Sequence, residues 1–238
     1  MNPIYFKEDY SLDIIHEDDL IVVINKPPNI LTHLTKISED TISVLDILNR
    51  QLGRKMLPIH RLDRATTGLL VFAKDSITAE TINQAFRLKK VKKTYHAIMR
   101  GYLEKTGFID EPLFSETKNV HQEAVSEWKC LEENELPWEV SRYPTSRYSF
   151  VALFPQTGRH HQLRKHAAKL RHPIIGDRRH GDVKHNNFWR DKFGTNRLWL
   201  HASKIEIPFG EQLLQFRADL PEDFKEILEA LGMEGAVD

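Results

Sequence analysis

His60-Arg61-Leu62-Asp63-Arg64-Ala65-Thr66-Thr67-Gly68-Leu69-Leu70-Val71-Phe72-Ala73-Lys74-Asp75 sets one acid between two arginines and then runs into an apolar segment. The run Leu69 to Ala73 reads as a buried strand, and Thr66-Thr67-Gly68 as the small-residue turn that feeds it. An acid on a loop anchored to a buried strand is held rigidly while its carboxylate stays reachable. The flanking arginines keep that carboxylate ionised and attract phosphate. Asp63 is therefore the candidate reactive group, in a setting that suits chemistry on a polyanion.

Working outward, residues 20–25 form a second short apolar strand, stopped by Lys26-Pro27-Pro28. Ile42, Leu45, Ile47 and Leu48 fall at helical spacing within 41–52, ahead of Gly53. Ser76 is placed to N-cap a helix carrying Ala79, Ile82 and Phe86 on one stripe. Strands are expected over 94–99, 125–131, 148–154, 198–207 and 213–216. A short basic helix is expected over 159–170 with Leu163, Ala167 and Leu170 inward, and a surface helix from Pro221 to residue 232. Helices do not alternate regularly with strands, so the expected class is α+β, with a mostly antiparallel sheet flanked by helices and loops.

The chain has 238 residues, with 34 Lys or Arg balanced by 34 Asp or Glu. That neutrality is a cancellation. Residues 104–139 hold ten acids against Lys105, Lys118 and Lys129, whereas residues 159–192 hold ten Lys or Arg against Asp177, Asp182 and Asp191. A further basic run, Arg87-Leu88-Lys89-Lys90-Val91-Lys92-Lys93, lies upstream. Single charge runs are usually solvated faces, but two of them beside an Arg-flanked acid point to a polyanionic partner. Cys130 is the sole cysteine, which excludes an internal disulfide or a thiolate cluster and suits a small buried hydrophobe. No apolar run spans a bilayer and no signal-peptide core is visible near Met1, so a cytoplasmic protein is expected.

Three further segments carry candidate chemistry. In Lys93-Thr94-Tyr95-His96-Ala97 the strand period puts Tyr95 and Ala97 on one side. Tyr95 is either core or a flat platform for a base, and the residues alone favour core. In Thr157-Gly158-Arg159-His160-His161-Gln162-Leu163-Arg164, Gly158 allows a tight turn into a helix. Arg159 and Arg164 leave that helix on different sides. A semi-buried Arg164 needs an acid, and Asp63 is the natural candidate. The loop His172-Pro173-Ile174-Ile175-Gly176-Asp177-Arg178-Arg179-His180-Gly181 joins an apolar pair to two arginines, a pattern that suits a docked base with its phosphates. His160, His161, His166 and His172 lack the i, i+4 spacing and the cysteines of a zinc site, so no metal is expected. Phosphate-binding Gly-rich loops and a Gly-x-Ser-x-Gly elbow are missing too, so no cofactor is expected.

Taken in order, these segments resemble the RluA-type pseudouridine synthases. The resemblance rests on Asn25-Lys26-Pro27, His60-Arg61-Leu62-Asp63-Arg64 with Thr66 and Gly68-Leu69-Leu70, Lys93-x-Tyr95, Gly158-Arg159-x-His161-Gln162-Leu163-Arg164, Ile175-Gly176-Asp177 and Leu200-His201-Ala202. Residues 141–182 further resemble the TruC branch, which modifies uridine 65 of tRNA. The resemblance implies one catalytic domain over 12–217, a C-terminal helical tail over 218–238 and no S4 domain. It implies Asp63 as the catalytic aspartate, Tyr95 as the aromatic that stacks on uracil and Arg164 as the partner of the Asp63 carboxylate. Leu200 would line the pocket, and Arg61 would fill the gap left by the flipped uridine. This overrides the core reading of Tyr95. Thr67 stands where serine is common, and His180 where many members have tyrosine.

The implied reaction cleaves the C1′–N1 bond of uridine, rotates the base and rejoins it through C5. It needs one ionised carboxylate, which either adds covalently or abstracts a ribose proton. The expected substrate is tRNA, with ribosomal RNA as the competitor. Backbone contacts are expected from Lys89, Lys90, Lys92, Lys93, Arg178, Arg179 and Lys184, in a monomer with no obligate protein partner. The rivals are a hydrolase using Asp63 with His60 and a non-catalytic RNA-binding module.

Overall fold

The computed structural model describes residues 10–34 and 41–235; the stretch read for a signal peptide near Met1 lies outside them. The chain forms two compact units. One combines the chain up to Lys92 with Ala202–Ala218, and the other combines Lys93–His201 with the chain from Asp219 onward.

Numbering elements along the chain, the first unit holds β1 (Asp13–Glu17), β2 (Ile21–Lys26), α1 (Val44–Leu52), β3 (Leu57–Pro58), β4 (Thr67–Ala73), α2 (Ser76–Arg87), most of β11 (Leu200–Phe209) and β12 (Gln212–Arg217). All seven residues of β4 are buried, because β2 and β11 flank it and both of its faces are covered. Leu69, Val71 and Ala73 share one core with Ile21 and Val23 of β2, with Ile205 and Ile207 of β11 and with the Ala79, Ile82, Ala85 stripe of α2. Gly68 opens β4 at φ 107°, where a Cβ would lie 2.2 Å from the Ala202 carbonyl oxygen. No other residue fits that approach. Helix α1 starts and stops as its sequence signals ask. Ser43 and Asp46 form a reciprocal capping box, and Gly53 closes the helix at φ 62°. Helix α2 is capped by Asp75 rather than Ser76, since the Asp75 carboxylate accepts both the Ile77 and Thr78 N–H groups.

The second unit holds the rest of β5 (Lys92–Arg100), then β6 (Thr106–Asp110), β7 (Leu113–Ser115), β8 (Val120–Gln122), β9 (Val125–Leu136), β10 (Ser146–Pro155), α3 (Gln162–Lys169), α4 (Val183–Phe193) and α5 (Glu222–Ala230). Its sheet runs β5-β10-β9-β6, with β7 and β8 forming a separate hairpin. Every pairing with a described register, in either unit, is antiparallel. The expected α+β class with a mostly antiparallel sheet is what the structure shows.

Two expectations are corrected. Residues 183–193 form α4, capped by Asp182 and closed by Gly194, where no helix was expected. Ile174 and Ile175 are about 1% exposed and engage β5 through a Met99–Ile174 bridge and an Ile175 N–H to Ile98 carbonyl bond, so they are core and not a platform for a base. The C-terminal helix α5 lies at the surface as expected, with one face packed inward. Phe224 and Leu228 of α5 are buried among Phe150, Trp189 and Trp199.

Candidate active site

Asp63 sits half-buried on the loop between β3 and β4, and that loop is fastened on both sides. Before it, the Thr32 hydroxyl donates to the Leu62 carbonyl (3.3 Å) and accepts the Leu62 N–H (3.2 Å). After it, the buried Lys26 ammonium donates to the Arg64 carbonyl at 3.0 Å, and to Pro27 and Ile30 carbonyls at 2.8 and 2.9 Å. All three ammonium protons are thus used. The Thr66 N–H closes a turn onto the Asp63 carbonyl. Burial pulls the Lys26 ammonium down to about 7, with the Asp63 charge opposing and the Arg64 charge adding to the fall. Lys26 was not among the expected site residues. A lysine closing an apolar strand just before Pro-Pro was the available signal, since a buried ammonium requires several acceptors.

Arg61 is exposed. Arg64 is also exposed and donates to the Asn29 carbonyl. The hydrolase rival assigned His60 to water activation. In the structure the His60 Nε2 accepts the Val71 N–H at 3.2 Å and the ring stacks on Phe86. That nitrogen is occupied in holding β4.

Tyr95, Arg164 and Leu200 belong to the second unit. Tyr95 lies on β5 opposite Leu153 of β10 and is half-buried, so it is not sealed in the core. Leu200 is buried at the start of β11. The buried Arg164 guanidinium grips Asp177 with two bonds of 2.7 Å, from Nε and Nη2. Asp177 is the acid that the sequence reading did not find. It sits 13 residues away and is presented by Gly176 at φ 80°, where a Cβ would meet the Arg197 carbonyl oxygen at 1.7 Å. Asp177 also accepts the Arg179 and His180 N–H groups. Burial alone would raise the Asp177 carboxyl, but the hydrogen bonds and charge of Arg164, with those two amides, hold it below its ordinary value. Helix α3 begins at Gln162, later than expected, because His161 adopts a left-handed conformation at φ 56°. Its Nδ1 lies 2.9 Å from His180 Nε2. The residue that turns the chain is His161 and not Gly158.

Of the seven expected backbone contacts, Lys89, Lys90, Lys92, Arg178, Arg179 and Lys184 are exposed. Lys93 is different: its ammonium is half-buried, donates to the Thr157 carbonyl and is pulled down to about 8 by burial. It fastens the turn before α3. His166 bridges Ser126 and the Glu111 carbonyl, and His172 bonds the Arg100 carbonyl. Among the described residues no three His, Cys, Asp or Glu side chains gather as metal ligands.

Residues 20–169 match the family described as RNA pseudouridylate synthase. This chain belongs to the RNA pseudouridylate synthase family. Such a synthase is an isomerase. Among curated relatives of this synthase, a protein of Vibrio parahaemolyticus named tRNA pseudouridine synthase C is 39% identical over 230 residues, covering 91% of this chain and 94% of that one. A protein of the same name from Haemophilus ducreyi is 43% identical over 208 residues, covering 83% and 85%. The synthase is also similar to a solved structure, human RNA Pseudouridylate Synthase Domain Containing 4, at TM-score 0.72 and 27% identity, covering 92% and 93%. Human RNA Pseudouridylate Synthase Domain Containing 1, at TM-score 0.71 and 21% identity, shares the fold. No helix among the described residues is long and apolar enough to cross a membrane.

Proposed function

We propose that this synthase converts a uridine of tRNA, at position 65, to pseudouridine, with Asp63 as the catalytic carboxylate. The observation that carries the reading is the doubly fastened Asp63 loop in a chain of this family. Thr32 and Lys26 hold the residues on either side of a half-buried carboxylate, which pre-positions it for reaction. The tRNA substrate is supported by curated relatives named tRNA pseudouridine synthase C over nearly the whole chain. Position 65 is supported by the resemblance of residues 141–182 to the TruC branch.

In this reading Tyr95 stacks on the target uracil and Leu200 lines the pocket. Arg164 serves the Asp63 carboxylate while Asp177 anchors its guanidinium. Arg61 fills the space the flipped base leaves, and flipping costs roughly a few kcal/mol that stacking and phosphate contacts offset. The C1′–N1 bond breaks, C1′ joins C5, the C5 hydrogen departs as a proton and N1 gains one. No electrons are gained or lost overall. Lys89, Lys90, Lys92, Arg178, Arg179 and Lys184 meet the tRNA backbone; Lys93, already bonded to Thr157, is left out. The protein acts as a cytoplasmic monomer. The test offers whole tRNA, isolated stem-loops and ribosomal RNA in parallel and maps the product. Conversion at position 65 of tRNA is expected. Modification confined to ribosomal RNA would sink the tRNA claim.

A further inference from the structure

Apart from Lys184, already placed on the tRNA backbone, a further feature of the second unit has no part in the chemistry above. Between the 140–143 turn and the start of α4 lies an open cleft of about 530 Å³, lined by Arg100, Arg142, Tyr143, Asp182, Lys184 and His185 among others. Its volume falls in the range that holds one small ligand. The turn is tight: Val140 and Tyr143 bridge each other, and Ser141 takes a left-handed conformation at φ 64°. That geometry displays Arg142 and Tyr143 side by side, with Tyr143 57% exposed and the Arg142 guanidinium 5.1 Å from its ring centre. The cleft is fixed from behind, where Arg100 pairs with Asp182 and donates to the Arg171 carbonyl.

Charge decides what fits. Asp182, the one acid named in the lining, is engaged by Arg100 and by the Lys184 and His185 N–H groups it caps. Arg142 donates to the Tyr143 hydroxyl and the Lys184 ammonium to the Ser141 hydroxyl, both neutral partners, so these two cations keep their full charge. The His185 ring meets the Tyr148 hydroxyl, and burial favours its neutral form. An exposed aromatic beside two uncompensated cations matches a base joined to a phosphate.

We propose that this cleft is a second RNA-contact site, which holds one nucleotide of the substrate other than the modified uridine. The base packs on Tyr143, and its phosphate sits between Arg142 and Lys184. This rests on the tRNA reading and adds a contact that the family resemblance does not assign.

The test measures equilibrium binding of whole tRNA across a salt series for the wild type, for Tyr143→Ala and for Arg142→Ala with Lys184→Ala. Tyr143→Ala should weaken binding about tenfold with an unchanged salt slope, because a lost stacking contact releases no counterion. The double variant should weaken binding and shallow the log–log slope by roughly 0.7 to 0.9, because one phosphate loses both of its neutralising cations. Thermal melts matching the wild type show that both variants are folded. Wild-type affinity and slope in both variants, from a protein that does modify tRNA, overturn the cleft alone. A wild-type protein that leaves tRNA unmodified overturns the proposed function and the cleft with it.

Discussion

Replacing Asp177 by Asn tests whether the Arg164 grip is a stabilising element of the second unit. The side chains of Arg164 and Asp177 are 9% and 1% exposed, so neither charge has water to fall back on. Asn keeps the shape but removes the charge. It also turns an N–H donor towards the guanidinium, where an oxygen now accepts at 2.7 Å. Breaking a buried pair from one side costs on the order of 3–5 kcal/mol, because the buried guanidinium loses its doubly hydrogen-bonded counter-charge. The Arg179 and His180 amides that share this carboxylate place the effect towards the upper end. Urea titration at pH 7 should show the midpoint falling by that amount divided by an unchanged denaturant slope. Arg164→Met should cost a similar amount, and the double variant should cost less than the sum, as coupled neighbours do. The folded Asp177 carboxyl is depressed, so its contribution is present above its ordinary value of 3.8 and is lost as pH falls through the lower folded value. An Asp177→Asn protein whose midpoint matches the wild type would refute the reasoning.

Other outcomes follow from single residues. His96 is buried with its Nδ1 unbonded and is pulled down to about 4 by burial, so below 6.5 the unfolded chain takes up a proton that the folded chain refuses. Stability should therefore fall between pH 6.5 and 4, by about 3 kcal/mol from this residue. His96→Phe should flatten the fall by that much; parallel curves for the two proteins would remove His96 from the account. Lys26→Met leaves the Pro27, Ile30 and Arg64 carbonyls without their donor, at roughly 1–3 kcal/mol for the most buried, and should lower kcat at least about tenfold by loosening the Asp63 loop. Wild-type melting and turnover would contradict that. Ending the chain before Pro221 strips Phe224, Ile227 and Leu228 from the core, at about 1.5–3 kcal/mol each, and should yield an unfolded or aggregating product by circular dichroism. A truncated protein with a native melt would contradict that.

The loop that carries Asp63 was readable because its signals are local. An acid, its flanking arginines, a turn and an apolar strand stand within sixteen consecutive residues, 60–75. The end of α1 was readable for the same reason, through Gly53, whereas its start is set by the Ser43 and Asp46 capping box. What was missed depends on distance or on mixed composition. Asp177 partners Arg164 only because Gly176 turns the intervening loop back, and no spacing rule reports that. Helix α4 is rich in polar residues and places Phe188, Trp189 and Phe193 without a clean stripe, although Asp182 and Gly194 marked both ends. Ile174-Ile175 is an apolar pair in a basic loop, and whether such a pair meets a ligand or a neighbouring strand is decided by tertiary packing. Lys93 looked like the other lysines of its run until β5 turned it towards Thr157.

The most direct test of the central claim is tritium release from tRNA carrying 5-tritiated uridine, with the product position mapped, for the wild type and for Asp63→Asn. The bond from C1′ to C5 displaces the C5 hydrogen, so each conversion releases one label. The wild type should release the equivalent of one uridine per tRNA. Asp63→Asn should release none while binding tRNA within about tenfold of the wild type, roughly 1.4 kcal/mol, because affinity comes from many phosphate contacts. Sustained release by folded Asp63→Asn protein would contradict the account.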